Sequence, residues 1–395
     1  MRICFVSFEY PPDTGIGGIA TYVRQVARQF ARRGVDVHVI CASPARHGTE
    51  QEQPGLCITR IQCPDTSHFN ERSWQVLAQL HAQKPFDLVE TPEYGAEGLL
   101  IKQQLPSLPL IVKLHTPAYL IKALNDFYYD ARPVRKLKKA LGLGYHVDRD
   151  KEYRSVLAAD HILSPSLSLI DIVSEQWKLS PAKIVHAPNP YYPTDALLQI
   201  PVSPRAQTVL YIGRLETRKG VWNLSKALPL VHKAVPGAQF IFLGKDGRGP
   251  LREPSMRAVL QREAKGVAGS VKFIDQVPLD AVPALLAQAD ICVFPSLWEN
   301  FPNVCLEAMA AGRGIVAGRE GGMRDMLGDI DGGMLVDPHD SQSIAAGIIT
   351  LLTDDDKRQA MATRSRAKAL GFYGDNMITQ LLTLYHSFIP GNMKN

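Results

Sequence analysis

The chain has 395 residues, 45% of them apolar and 21% charged. That profile suits a globular protein of two domains, each large enough for its own core, and no run of 18 apolar residues is present to span a membrane. The net charge of +5 and the pI near 8.8 favour an anionic ligand or an acidic membrane surface, while the lack of a basic stripe interleaved with aromatics argues against nucleic acid.

From the N-terminus, Ile3 to Phe8 reads as a buried strand. A loop, Glu9-Tyr-Pro-Pro-Asp-Thr-Gly-Ile-Gly-Gly18, follows it. Ile19, Val23, Val26 and Phe30 then repeat at helical spacing, and Gly34 stops the helix. Gly15 to Ala20 has the GxGxxA form of a dinucleotide fingerprint. Its glycines come about seven residues after the strand, and the next strand ends at Cys41-Ala-Ser without an acid for a ribose hydroxyl. A nicotinamide cofactor is therefore disfavoured, although the glycines still allow close backbone approach to a bound group.

Val35–Ala42, Phe86–Thr91, Leu110–His115, Asp160–Ser164 and Lys183–Ala187 are further short apolar runs, most of them separated by helical stretches. Alternating strands and helices predict an α/β layer structure with a parallel sheet. Ligands of such sheets bind at the carboxyl ends of strands. The 9–18 loop and His115 both stand at such ends.

Residues 120–141 carry an apolar stripe beside Arg132, Arg135, Lys136, Lys138 and Lys139. A basic amphipathic segment can rest on an anionic membrane; the alternative is a solvated helix face. Asp148-Arg-Asp150 has a DxD form, but it lies in a charged helical run and is not taken as a metal site. The six cysteines form no CxxC pair, and those in apolar runs read as core residues of a reducing cytosol. The start of the chain has too short an apolar run for a signal peptide. A cytoplasmic protein is expected, possible contact with the inner membrane face included.

Prolines at 190, 193, 201 and 204 interrupt the pattern. The alternation then restarts with runs at 208–213, 237–244, 270–274, 289–294, 314–317 and 333–336. Two similar α/β domains follow, residues 1–195 and 206–370, with a terminal helix at 371–395 and a cleft expected between the domains.

Gly213-Arg-Leu-Glu-Thr-Arg-Lys-Gly220 follows the first strand of the second domain. Arg214 offers a planar fork and Lys219 a point charge, a suitable clamp for a diphosphate. After the 289–294 strand, Glu299 falls in a turn, Pro302 suits the first position of a helix, and Glu307 lies about 7.5 Å along it. Both carboxylates can approach one place at the helix mouth, where the N–H groups of Asn303 and Val304 favour an anion. Carboxylates beside an anion site suit a ligand with both hydroxyls and phosphate. A surface corner with two solvated glutamates is the plainer alternative.

Together these residues resemble a family: Gly213-Arg-Leu with Lys219-Gly, then Pro295-Ser, Glu299, Glu307-Ala-Met-Ala, Gly312 and Gly321-Gly322. The chain looks like a retaining glycosyltransferase of family 4, with the GT-B architecture of two Rossmann-like, doubly wound parallel-sheet domains. Glu299 and Glu307 match the family's E-x7-E pair. Gly17-Gly18, His115 and the final helix also fit. Asn300-Phe-Pro-Asn303 replaces a commoner glycine-rich run, and Asn189-Pro190 a common Asn-Gly.

The resemblance implies transfer of a sugar from a nucleoside diphosphate to a hydroxyl, with retention and without metal or cofactor. It implies catalytic roles for Glu299, His115, Arg214 and Lys219. Donor contacts would come from Gly17, Gly18, Arg214, Lys219, Ile274, Glu299, Asn300, Phe301, Asn303, Val304 and Glu307. Tyr10 and Asp13 would meet the acceptor. Base rates in the family favour UDP-glucose, with GDP-mannose second, and a sugar or lipid-linked acceptor in exopolysaccharide or cell-envelope synthesis. The competing readings are a nucleotide-sugar-binding protein without turnover and a nicotinamide-dependent oxidoreductase. Donor-dependent release of nucleoside diphosphate separates the first reading from both.

Overall fold

The computed structural model describes residues 1–15, 17–128, 133–134, 136, 145–202, 207–372 and 374–389. These fall into two compact units. The first combines Met1–Ala118, Tyr145–Pro190 and Gly374–Asn395; the second combines Tyr119–Gly144 and Tyr191–Tyr373. Residues 119–128, expected in the first unit, thus belong by contact to the second. Of the basic cluster, Arg132, Arg135, Lys138 and Lys139 lie outside the described residues, while Lys136 is exposed. Among the described residues no helix is long and apolar enough to cross a membrane.

The first unit holds an eight-stranded sheet. Its strands are β1 (Arg2–Ser7), β2 (Asp36–Ser43), β3 (Gly48–Gln53), β4 (Leu56–Gln62), β5 (Leu88–Pro92), β6 (Leu110–Lys113), β7 (His161–Ser164) and β8 (Ile184–His186). Their order is β3-β4-β2-β1-β5-β6-β7-β8. Every neighbouring pair is parallel except β3 with β4. The hairpin partner β3 was not expected, because Gly48–Gln53 is polar on both faces and forms an exposed edge. Helix Gly18–Arg32 turns Tyr22, Val23, Val26, Ala27 and Phe30 inward, a helical stripe that covers the sheet. Helix Gly374–Phe388 completes this core. Its Tyr385 meets Phe30 edge-on at 5.4 Å, its Phe388 stacks on His161 at 3.7 Å, and its Asp375 pairs with Arg33.

The second unit holds six parallel strands: β9 (Thr208–Ile212), β10 (Gln239–Leu243), β11 (Val271–Ile274), β12 (Ile291–Phe294), β13 (Gly314–Gly318) and β14 (Met334–Val336). Their order is β11-β10-β9-β12-β13-β14. Side-chain alternation divides each strand between two cores. Val209, Tyr211, Phe240, Phe242 and Val293 enter one. Leu210, Ile212, Cys292, Phe294 and Ile315 enter the other. Helices therefore cover both faces, the doubly wound arrangement. Tyr128 docks on this unit: its ring stands edge-on to Trp222 at 5.3 Å, and its hydroxyl is 2.9 Å from Nδ1 of His339.

In each sheet the chain changes direction at its first strand. The switch lies between β1 and β5 in one unit and between β9 and β12 in the other. The loops leaving these four strands stand where such folds bind ligands.

Candidate active site

In the second unit the loops after β9 and β12 are locked together by backbone. The β9 loop ends in a tight turn at Thr217–Lys219, followed by Gly220 at φ +68° and the helix Val221–Ala234. Leu297 N–H donates to the Arg218 carbonyl at 2.8 Å. A Cβ on Gly220 would stand 1.7 Å from the Pro295 carbonyl oxygen. From the other side, Gly322 N–H donates to the Glu299 carbonyl at 2.7 Å. A Cβ on Gly322 would lie 1.5 Å from the Asn300 carbonyl oxygen. Only glycine allows backbones this close.

This clamp brings Lys219 Nζ to 2.5 Å from Glu299 Oε1. Ser296 Oγ donates to the same oxygen at 3.0 Å, and Arg218 approaches it at 3.5 Å. Burial alone would raise the Glu299 carboxyl, but the charges of Lys219 and Arg218 outweigh it and hold the group below its usual range. Burial lowers the Lys219 amine in spite of Glu299. Arg218 was not singled out in the sequence. It is one of three basic residues in its loop, and only the turn at 217–219 shows which of them face Glu299. Its Nε also pairs with Glu216 at 2.8 Å. Arg214 behaves differently: its side chain is 63% exposed and its acidic neighbour is Glu216, at 3.4 Å.

Glu307 is the fifth residue of helix Asn303–Ala310. Burial pushes its carboxyl up to about 7. Pro302 occupies the N-cap position rather than the first helical one. Its carbonyl accepts from Cys305 N–H at 3.0 Å and Leu306 N–H at 3.4 Å. Among the described residues, the Glu307 carboxylate and the N–H groups of Asn303 and Val304 meet no protein partner. They are left for a ligand or water. Asn300 is buried. Phe301 packs edge-on against Phe372 at 5.5 Å. Ile274 closes β11, and its carbonyl accepts from Gly244 N–H at 3.0 Å.

In the first unit His115 follows β6 and is buried. Its N–H donates to Glu93 Oε2 at 2.7 Å, and its ring lies edge-on to Tyr22 at 5.5 Å. Burial first, and then Lys113, push the imidazole down to about 3, so it is neutral at pH 7. Gly17 is the N-cap of helix Gly18–Arg32, and the space beside the Gly18 Cα is open. Asp13 is gripped by Nε and Nη2 of Arg46, at 2.8 and 2.6 Å. That bond, more than any other cause, holds its carboxyl below the usual range.

Tyr10 departs from its expected role. It is 0% exposed, and its hydroxyl donates to Glu52 Oε2 at 2.9 Å. A ring enclosed in this way anchors the loop from within and has no face for an acceptor. The DxD sequence also has a structural use, since Asp150 caps helix Lys151–Ala158 through Glu152 N–H at 2.8 Å. Among the described residues no group of three His, Cys, Asp or Glu side chains is set to hold a metal ion.

Both halves of the chain match known proteins. Residues 16–194 match the model described as Glycosyltransferase Family 4, and residues 199–368 match Glycosyl transferases group 1. The chain is 27% identical to D-inositol 3-phosphate glycosyltransferase of Corynebacterium urealyticum, over 98% of this chain and 96% of that one. Sucrose-phosphate synthase from Thermosynechococcus elongatus superposes with a TM-score of 0.75 at 22% identity, covering 98% of both chains. Anabaena HepE, solved in complex with UDP-glucose, superposes with a TM-score of 0.69 at 19% identity, covering 98% of this chain and 100% of that one. Two doubly wound sheets, a glycine-clamped Lys219–Glu299 pair and these matches over both halves lead to one assignment: the chain belongs to the family 4 glycosyltransferases and is an enzyme of GT-B architecture.

Proposed function

We propose that the enzyme transfers a hexose with retention, and without a metal ion, from a nucleoside diphosphate to an acceptor hydroxyl. The observation that carries this reading is the Lys219–Glu299 pair at the β9/β12 switch point, beside unpartnered N–H groups at Asn303 and Val304. As the bond from the sugar's anomeric carbon to phosphate breaks, negative charge grows on the leaving diphosphate. Lys219, Arg214 and the helix N-terminus at 303–304 are disposed to stabilise that charge. Glu299 orients the donor sugar through its hydroxyls, and Glu307 accepts from the ribose hydroxyls. Asn300, Phe301 and the backbone near Ile274 complete the donor contacts. His115, with Gly17 and Gly18 of the same unit, meets the sugar and its phosphate. The acceptor oxygen attacks on the face from which the diphosphate departs, and its proton passes to a leaving phosphate oxygen. No carboxylate nucleophile is assigned.

The donor we favour is UDP-glucose, with GDP-mannose as the alternative; the UDP-glucose complex of HepE supports the choice by analogy. The acceptor is proposed to be a sugar or lipid-linked glycan of exopolysaccharide or envelope synthesis, with Asp13 near its binding place. The enzyme would then work in the cytoplasm, held at the inner membrane face through 120–141. Relatives named for an inositol phosphate and a sucrose phosphate support a hydroxyl-bearing acceptor more generally.

A nucleotide-sugar panel tests the donor. Ligand at about 100 times its dissociation constant stabilises the native state by roughly 2.7 kcal/mol, so the true donor raises the melting temperature and releases its nucleoside diphosphate. Stabilisation by GDP-sugars alone rejects the UDP assignment. The anomeric configuration of the product, read by NMR, decides retention. Sedimentation with anionic liposomes at low and high salt decides the membrane contact.

A further inference from the structure

Three buried glutamates outside the donor site accept backbone N–H groups. The segment leaving β5 carries Glu93 and Glu97, and helix Lys151–Ala158 carries Glu152. All three are buried. Glu93 Oε2 accepts the N–H of His115 at 2.7 Å. Glu152 Oε2 accepts the N–H of Ala118 at 2.8 Å, and its Oε1 accepts the N–H of Gly95 at 3.0 Å. Glu97 Oε1 accepts the N–H of Phe8, where the 9–18 loop begins, at 3.0 Å. The loop after β1 and the turn after β6 are therefore both fastened to the segment after β5, the first through Glu97 and the second through Glu93 and, by way of Gly95, Glu152.

That segment is itself strained. Gly95 and Ala96 both take left-handed conformations, at φ +76° and +56°. For alanine this costs about 1–2 kcal/mol, and such strain persists only where surrounding structure fixes it. Burying three carboxyl groups is also costly when apolar residues would fill the space. Burial first, and then the charge of Glu152, push Glu93 up to about 8. Burial pushes Glu152 up to about 7. A protonated carboxyl still accepts through its carbonyl oxygen.

We propose that Glu93, Glu97 and Glu152 are positioning residues, which hold the His115–Ala118 turn and the start of the 9–18 loop in the geometry that turnover requires. The proposal rests on the reading that His115 meets the donor sugar.

The chemistry of the tethers makes the test specific. Glu93→Gln keeps an oxygen for His115 N–H, whereas Glu93→Ala removes it. Glu152→Gln keeps its shape but replaces one of two accepting oxygens with an NH2 group, so one tether is lost. Three readouts are needed: amide exchange of residues 113–118, the dissociation constant of UDP, and kcat for UDP release from UDP-glucose. In Glu93→Ala and Glu152→Gln we expect faster exchange at 115–118, UDP affinity within twofold of wild type, and kcat lower by about 10²-fold, the scale of a 1 Å misplacement. Glu93→Gln should restore all three.

Unchanged exchange in both loss variants overturns the tether. Faster exchange with unchanged kcat overturns the positioning role. If Glu93→Ala does not fold, Glu152→Gln carries the test alone. If the wild type releases no UDP, the donor reading fails instead, and exchange at 115–118 still judges the tether.

Discussion

Gly220 lies against Pro295 so closely that a Cβ on it would stand 1.7 Å from the proline carbonyl oxygen. Its φ of +68° is also one that a side chain rarely adopts. The contact seats the turn bearing Lys219 on the turn bearing Glu299. Gly220→Ala must therefore push the two loops apart. We expect a loss of about 3 kcal/mol, seen as a lower melting temperature, together with loss of most turnover. Wild-type melting and activity in this variant would show that the loops are not clamped there.

Arg214 and Lys219 should separate when each is changed to alanine. Arg214 is exposed and has little to hold in the free protein. Arg214→Ala should leave stability within about 0.5 kcal/mol of wild type and lower kcat by about 10²–10³-fold through loss of charge on the leaving group. Lys219→Ala removes the nearest partner of a buried carboxylate and should cost about 3 kcal/mol of stability as well. Melting curves beside steady-state rates decide the matter; equal stability loss in both variants would contradict the geometry.

Glu307 makes a pH-dependent prediction. Burial raises its carboxyl from 4.5 to about 7, so the native state prefers the protonated acid. The stability from that preference is complete below pH 4.5 and is lost as the pH rises through 7. Glu307→Gln should match wild type at pH 4 and exceed it at pH 8 by up to about 3 kcal/mol. Nucleotide affinity should fall in the same variant. A variant no more stable at pH 8 than at pH 4, relative to wild type, would remove Glu307 from the buried site.

Tyr10→Phe tests the reassigned tyrosine. It removes the hydroxyl that donates to Glu52 and should cost about 1 kcal/mol of stability. Because the ring is enclosed, the KM for acceptor should not change. A raised acceptor KM without any stability loss would return Tyr10 to the acceptor.

The fold was legible in the sequence because parallel strands are buried on both faces and read as unbroken apolar runs. β1, β9, β12 and β13 are of this kind. Gly48–Gln53 escaped notice because an exposed edge strand carries no such run. Its partner β4 is interrupted by Arg60, which is buried through its pairing with Glu50. Motif spacing placed Lys219 and Glu299 in loops at strand ends and Glu307 in the helix that follows. It did not show that Arg218 faces Glu299 while Arg214 faces water, since that depends on a single turn of backbone. The tethers of Glu93, Glu97 and Glu152 were invisible for another reason. A carboxylate that accepts from a distant backbone N–H leaves no pattern of residue types, because every residue except proline can be its donor.

The first unit closes on helix Gly374–Phe388, which brings Tyr385 onto Phe30 and Phe388 onto His161. A ribosome making this chain must therefore finish the whole second unit before the first has its last wall. Until then Phe30 has Phe5 beside it but not Tyr385, and the nascent N-terminal half offers an apolar surface to chaperones. The N-terminal half expressed alone should aggregate, and it should become soluble when the 374–388 peptide is supplied on a linker.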